Sequence, residues 1–416
     1  MKIYLIVGEP SGDILASRLI NAIRAKRPET EFFGIGGETM RAEGFRSLFD
    51  IKCLSVMGVM EVIPRLPVIL RRKKEILADI EKIRPDVIVS VDSWGFVNSI
   101  LKKLKRQGCT IPKIHYVAPQ VWAWKKGRAK KASKLMNHLM TLLPYEPPYF
   151  EKYGLACTFV GHPVVENTAT FPEVLEGNIV ASRTSASVSH HHENDHHRAF
   201  PEALEGNIPV ASRLREPQPP SATARILCVL PGSRHSEVSK LAPVFVESIK
   251  QIQKKIPNLF LLIPSVETMK DEIDKHFRNI GIPYRIITGQ NARYEAFRMS
   301  EFAIATSGTV SLELAVCRTP HLIAYTFNWL TNRIVKLLVK TKYANLINIL
   351  ADRAIIPEFV LRRCRADLIA SEALDFLQNK EKCASQIEQA GEQLAKLKPA
   401  DKLPSEKASE VVLGIV

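Results

Sequence analysis

Hydrophobic positions along the chain fall into short, strand-like runs separated by stretches of helical spacing. Ile3–Val7 is apolar, and Asp13–Arg27 then places Leu15, Leu19, Ile20 and Ile23 at helical intervals. Phe32–Ile35 is again strand-like, Asp86–Val91 is a β-branched run closing on Asp92, and Ile114–Val117 and Leu139–Leu143 follow. The rhythm restarts at Arg225–Leu230 and continues through Leu259–Ile263, Tyr284–Ile287 and Phe302–Ala305. Strands alternating with helical spacers predict an α/β fold, a parallel sheet with helices on both faces. The restart predicts two such doubly wound domains, over 1–166 and 224–416.

Between them, 167–223 breaks the pattern. Phe171–Arg183 is nearly repeated as Phe200–Arg213, and the stretch between carries His190, His191, His192, His196 and His197. Two copies are too few for a solenoid. The histidines offer a metal site on one reading and a solvated insertion in the interdomain linker on the other; the polar, Pro-rich composition favours the insertion. The segment is left outside the site.

Composition narrows the partners. The 416 residues, with 46% hydrophobic and 24% charged, suffice for two globular domains. A formal charge of +15 favours an anionic partner. The seven cysteines are scattered, odd in number and without a CxxC pair, which fits a reducing cytoplasm and neither a disulfide framework nor a zinc site. No basic region precedes the first strand, so a signal peptide is not expected, and no stretch is apolar enough to span a bilayer.

In open parallel sheets ligands bind at the carboxyl ends of the strands, where loops meet helix N-termini. Four loops qualify. Gly8-Glu9-Pro10-Ser11-Gly12-Asp13 has two glycines that admit close approach, with Ser11 and Asp13 able to cap the helix. It matches no nucleotide fingerprint, and spacing alone leaves a plain capped turn equally open. Asp92, directly after its strand, is placed as a general base or as a helix cap. In the second half, Pro231-Gly232-Ser233-Arg234 offers backbone N–H groups and a guanidinium to a diphosphate. Ser307-Gly308-Thr309 opens another helix, with Glu313 one turn inward to bridge ribose hydroxyls. Two such loops in one domain point to a sugar-nucleotide site. The chain has no Asp-x-Asp motif, so metal-independent transfer is expected: no metal ligands, no cofactor, and leaving-group charge met by Arg234 and helix N-termini.

These segments resemble the lipid-A-disaccharide synthase family of inverting GT-B glycosyltransferases. The likeness runs through Gly8–Asp13, Val56–Val62, His115–Trp124 and Phe159–Pro163, then Leu230–Arg234, Ser307–Glu313 and Asn345–Leu350. The Trp122-Ala123-Trp124 segment and the first loop are the most specific. The resemblance implies two Rossmann-like domains facing a central cleft. It implies condensation of UDP-2,3-diacylglucosamine with 2,3-diacylglucosamine 1-phosphate, giving the β-1,6-linked tetraacyl disaccharide 1-phosphate and UDP. It further implies Asp92 as catalytic base, Glu9, Ser11 and Asp13 on the acceptor side, and Ser233, Arg234, Ser307, Gly308, Thr309, Glu313 and Asn348 around UDP. One departure stands out: where the family usually has Pro-Asp-Phe this chain has Trp94-Gly95-Phe96, so Gly95 replaces an aspartate.

The basic charge is uneven, with eleven Lys or Arg and no Asp or Glu from Leu101 to Met136. Upstream, the mostly apolar Val56–Leu70 runs into Arg71, Arg72, Lys73 and Lys74. Such a segment suits shallow insertion beside anionic headgroups, with Ile63, Leu66 and Ile69 facing the membrane, although a buried helix with a solvated basic end has the same pattern. Diacylated substrates favour the membrane, and hence a peripheral place on the inner face of the bacterial inner membrane. No nucleic-acid module or spaced aromatic platform is visible, so nucleic acid is not the expected partner. The alternative activity is a UDP-sugar 2-epimerase-like isomerisation on the same architecture, which would need no basic membrane face. A non-catalytic basic binding protein would leave the paired anion loops unexplained.

Overall fold

A computed structural model describes residues 1–54, 59–121, 127–170, 223–306, 308–326 and 342–415; the side chains of 52, 59–65 and 167–170 are outside the description. The His-rich repeat and the Trp122–Trp124 segment therefore lie outside the described residues.

The chain forms two compact units, 1–167 joined by 396–416, and 168–395. The first unit carries β1 (Lys2–Val7), α1 (Pro10–Lys26), β2 (Glu31–Ile35), α2 (Glu38–Ala42), α3 (Val59–Ile83), β3 (Val87–Val91), α4 (Trp94–Arg106), β4 (Lys113–Tyr116), α5 (Gly127–Ala132), β5 (His138–Thr141), α6 (Pro148–Glu151) and β6 (Ala156–Phe159). Its strands are all parallel, in the order β2-β1-β3-β4-β5-β6. Alternation along β1 sorts the core into two layers, as a sheet covered on both faces requires. Tyr4 and Ile6 pack with Ile76, Ile80, Val97 and Leu101 of α3 and α4. Ile3, Leu5 and Val7 pack with Leu15, Leu19 and Ile23 of α1.

The second unit has β7 (Arg225–Leu230), α7 (His235–Gln253), β8 (Leu259–Ser265), α8 (Lys270–Phe277), β9 (Tyr284–Thr288), α9 (Gln290–Met299), β10 (Phe302–Thr306), α10 (Val310–Val316), β11 (His321–Tyr325) and β12 (Glu358–Val360), with further helices at Leu346–Ala351, Ala366–Gln378 and Lys380–Ala395. Its parallel sheet runs β12-β11-β10-β7-β8-β9. Leu227, Val229, Leu261 and Ile304 fill the layer under α7, while Cys228, Leu230, Ala303 and Ala305 face the other way.

The expected domain 224–416 is corrected at its end. From Lys396 the chain belongs to the first unit, where the helix Pro404–Leu413 buries Ala408 and Val412 in the same layer as α1. The Gly161-His162 turn receives it: His162 N donates to Leu397 O at 2.9 Å. Gly161 has φ +91, and a Cβ there would lie 2.4 Å from Pro399 Cδ, so only glycine fits. Glu166 pairs with Arg18 at 3.0 Å and accepts the Ser405 amide.

Candidate functional site

Strand order fixes where a ligand can enter. In the first sheet the chain steps from β1 to β2 and returns past β1 to β3, so the loops after β1 and β3 diverge at a topological switch point. In the second sheet the switch falls between β7 and β10. These are the four loops singled out by sequence. The residues on either side of each switch are thus brought together by topology, not by proximity in the chain.

At the first switch the two loops are in contact. A Cβ on Gly8 would sit 2.8 Å from Ser93 Oγ, and one on Gly12 would lie 3.1 Å from Val91 O, so both glycines permit the close approach. Asp92 and Ser93 both take left-handed backbone angles, φ +54 and +46. Asp92 N donates to Tyr116 O at 2.9 Å. The Asp92 carboxylate accepts the Ser93 amide on Oδ1 at 2.8 Å and the Ser11 hydroxyl on Oδ2 at 2.9 Å. It is half-buried, while Ser11 is exposed. Val117, after β4, has φ +84, which costs a β-branched residue roughly 1–3 kcal/mol. Three strained residues at one sheet edge mark a place where geometry outranks stability.

Beneath Asp92 lies a polar pair that sequence reading did not assign. His115 is fully buried, its Nδ1 2.8 Å from Ser90 Oγ, and the Trp94 ring covers it at 5.2 Å. Burial pushes the His115 imidazole down to about 3, so it is neutral. Ser93 Oγ and His115 Nε2 are buried with no hydrogen-bond partner among the described residues. The neighbouring Gly95 is exposed, and a Cβ there meets nothing within 4 Å. The site thus has room for the family's aspartate without holding one.

Two expected acceptor-side residues fare differently. Glu9 is the half-buried residue preceding α1. Asp13 is only 3% exposed and turns inward: its carboxylate accepts the amides of Gly37 at 2.6 Å, Thr39 at 2.7 Å and Met40 at 3.3 Å. Placing Asp13 among acceptor ligands is corrected. It caps α2, where three unpaired N–H groups and the positive end of the helix need a carboxylate.

At the second switch Gly232, with φ +126, brings the backbone against Glu237. Glu237 accepts the Ser233 amide at 3.2 Å and pairs with Arg234 at 2.9 Å, leaving the Arg234 side chain 49% exposed. Ser307 is outside the described residues; Gly308 has φ +142, and Thr309 leads into α10. Glu313 pairs with Arg293 at 2.9 Å, an arginine with no sequence signal of its own. Burial raises the Glu313 carboxyl above its ordinary value, partly offset by Arg293.

Asn348 is corrected as a UDP ligand. It is fully buried, its Oδ1 accepting from Ile355 N and Ile356 N, both at 2.8 Å, and its Nδ2 donating to Ile356 O and Glu358 Oε1. Both donors and both lone pairs are used. Its work is to shape the turn before β12. Nearby, Asn345 donates to Ser311 Oγ at 2.6 Å, and Ser311 lies 2.7 Å from His321 Nε2, anchoring the start of α10.

From Val59 onward the expected membrane segment is part of one helix, α3, which runs through Pro64 and Pro67; residues 56–58 lie outside the described residues. Leu66, Val68 and Leu70 are 47%, 42% and 50% exposed, whereas Ile69 is half-buried and Ile63 falls outside the described side chains. Of the four basic residues, Arg72 is turned onto the protein, 4.6 Å from the Phe49 ring and paired with Glu75. Arg71 also pairs with Glu75, at 3.0 Å. Lys74 is exposed, and the Lys73 ammonium is depressed by partial burial and by Lys103, Arg106 and Lys102. Among the described residues no helix is long and apolar enough to cross a membrane, and no three His, Cys, Asp or Glu are grouped to hold a metal.

A family model for lipid-A-disaccharide synthetase matches residues 3–181 and 216–412. The unmatched stretch carries the His cluster and the second repeat copy. A lipid-A-disaccharide synthase of Paramagnetospirillum magneticum is 40% identical over 421 residues, covering 100% of this chain and 98% of that protein. The synthase of Rickettsia akari is 34% identical, covering 99% and 95%. Among solved structures, a Neisseria meningitidis UDP-GlcNAc 2-epimerase bound to UDP-GlcNAc superposes with TM-score 0.61 at 11% identity, covering 100% of this chain and 99% of that one. Acinetobacter baumannii MurG does so with TM-score 0.52 at 10% identity, covering 99% of each. Those two show the shared fold of paired Rossmann-like domains and nothing finer. With both halves matched by one family model and full-length relatives at this identity, the chain belongs to the lipid-A-disaccharide synthetase family.

Proposed function

We propose that Asp92 is the general base of an inverting glycosyl transfer between two acylated glucosamines. The chain is a glycosyltransferase of lipid A disaccharide formation. In our reading the donor is UDP-2,3-diacylglucosamine and the acceptor 2,3-diacylglucosamine 1-phosphate. The acceptor's 6-oxygen attacks the anomeric carbon as its proton passes to the Asp92 carboxylate. The bond from that carbon to the diphosphate breaks, and UDP leaves with the electron pair.

The observation that carries this reading is the contact from Ser11 Oγ to Asp92 Oδ2 at 2.9 Å. A hydroxyl already donates to this carboxylate from the open side of the switch, which is the contact an acceptor hydroxyl must make. In the second unit, Ser233, Ser307, Gly308 and Thr309 supply donors and Glu313 a carboxylate for UDP. Arg234 must release Glu237 to meet the developing diphosphate charge. The epimerase alternative has only fold-level support, at 11% identity.

Membrane docking belongs to the same proposal. Leu66, Val68 and Leu70 expose apolar surface next to Arg71 and Lys74, which suits peripheral contact on the inner face of the inner membrane. Incubating the protein with both substrates and weighing the lipid product by mass spectrometry tests the activity. A tetraacyl disaccharide 1-phosphate is expected; a 2-epimerised UDP-sugar with no disaccharide would overturn it.

A further inference from the structure

The amino-terminal edge of the first sheet holds a cavity that the transfer does not use. After α4 the chain turns through Gly108 and enters β4 at Lys113, while Asn137 immediately precedes β5. Between them lies a space of about 290 Å³ lined by Lys105, Lys113, Lys134 and Asn137, among others. Asp92 follows the carboxyl end of β3, so in a parallel sheet this cavity sits at the opposite edge.

Its charge is unbalanced. Lys113 is 7% exposed, and its ammonium donates to Cys109 O at 2.8 Å and Ile111 O at 2.7 Å. Carbonyl dipoles hold the amine but do not neutralise it, and a third N–H remains. Lys105 donates to Lys134 O at 2.7 Å, which draws its ammonium to the same wall. Lys134 has no ion-pair partner among the described residues, and neither have Lys105 and Lys113. The surrounding sequence, 101–136, contains no carboxylate at all. Asn137 accepts the Lys113 amide on Oδ1 at 2.9 Å, leaving its NH2 to donate.

The Lys113 ammonium meets only carbonyl oxygens, with two more lysines at its rim and no carboxylate among the residues that line the space. An anion there would pair with all three. Three ammonium groups and an amide suit a ligand with several acceptor oxygens and more than one negative charge. The volume is at the lower end for small-molecule pockets.

We propose that this cavity binds a phosphate monoester group, at a site separate from the transfer centre. Lipid headgroups and soluble phosphates share that chemistry, and one experiment distinguishes them. The full-length protein is titrated calorimetrically with inorganic phosphate, and its binding is measured to phosphatidylcholine vesicles containing phosphatidic acid or, at equal charge, phosphatidylglycerol. The parent should respond saturably to phosphate or bind phosphatidic acid in preference to the diester lipid. A phosphate response alone identifies a soluble ligand; a vesicle preference alone identifies a headgroup. The double variant Lys105→Gln/Lys134→Gln changes two exposed side chains and keeps Lys113, so it should fold; binding should weaken about tenfold or more. Lys254→Gln, at an exposed position in the other unit, should leave that binding unchanged. The proposal is overturned by neither response appearing, or by either persisting undiminished in a double variant that melts like the parent.

Discussion

Ser11 at the start of α1 donates its hydroxyl to Asp92 Oδ2 across 2.9 Å, joining residues 81 positions apart in the chain. The bond ties the loop after β1 to the loop after β3, and the left-handed turn at Asp92 and Ser93 is what brings the carboxylate within reach. Asp92 is thus oriented by one neighbour through each oxygen: the Ser93 amide on Oδ1 and an exposed, displaceable hydroxyl on Oδ2.

Asp13 separates support from chemistry. Asp13→Asn should destabilise the protein by about 2–3 kcal/mol, because one oxygen that accepts a helix amide becomes a donor. Turnover per folded molecule should stay near the parent's. Denaturant titration alongside specific activity checks this; an intact fold with lost activity would return Asp13 to the acceptor side.

Asn348 and Arg234 should behave oppositely. Asn348→Ala leaves the Ile355 and Ile356 amides unpaired and should cost about 2–4 kcal/mol of stability. Arg234→Ala, at an exposed position, should change stability by less than about 0.5 kcal/mol while weakening UDP binding. Melting curves with and without UDP distinguish the two: the second variant should lose the UDP-induced rise.

How much of this was legible in sequence depended on range. The central strands are short, largely apolar runs, and their loops announce themselves by Gly, Ser and Asp at strand ends. Three strands at or next to a sheet edge, β6, β11 and β12, were missed; β12 has only three residues, while β11 is as long as β3. Asp13 was misassigned because its partner, Gly37, lies 24 residues away, and a capping carboxylate has the same local signature as a ligand. Asn348 failed likewise, since its burial depends on a turn that the sequence does not display. Arg72 reads as one of four equivalent cations until Phe49 is seen beneath it. Periodicity carries the framework; long-range pairing decides which polar residues are free to act.

Binding at the proposed membrane face should divide into two components. Leu66→Ser with Leu70→Ser removes exposed apolar surface, so vesicle binding should fall at every salt concentration while the melting temperature holds. Neutralising Arg71 and Lys74 should instead lower binding only at low salt, since exposed charges are screened. Sedimentation with anionic vesicles across salt concentrations measures both. Unchanged binding by a folded Leu66/Leu70 variant would remove the insertion component.

Acid should weaken the fold through its buried histidines. Burial lowers His115 to about 3, and His162 and His321 to about 4, from an ordinary value of 6.5. The folded state therefore resists protons that the unfolded state accepts. The stability this confers is complete above pH 6.5 and is lost as pH falls towards 4. Each histidine contributes a slope of up to about 1.4 kcal/mol per pH unit in that window. Denaturant titrations at several pH values should show net proton uptake on unfolding; a flat profile from neutrality to pH 5 would contradict the assignment.

The base assignment is tested most directly by Asp92→Asn, assayed for disaccharide formation by mass spectrometry and for UDP binding by calorimetry on the same preparation. Loss of a general base should cut turnover by about 10²–10⁴-fold. UDP affinity, which the proposed function assigns to the other unit's loops, should be retained. A variant that keeps more than about a tenth of the parent's turnover would show that Asp92 is only a loop residue and that another group takes the acceptor's proton.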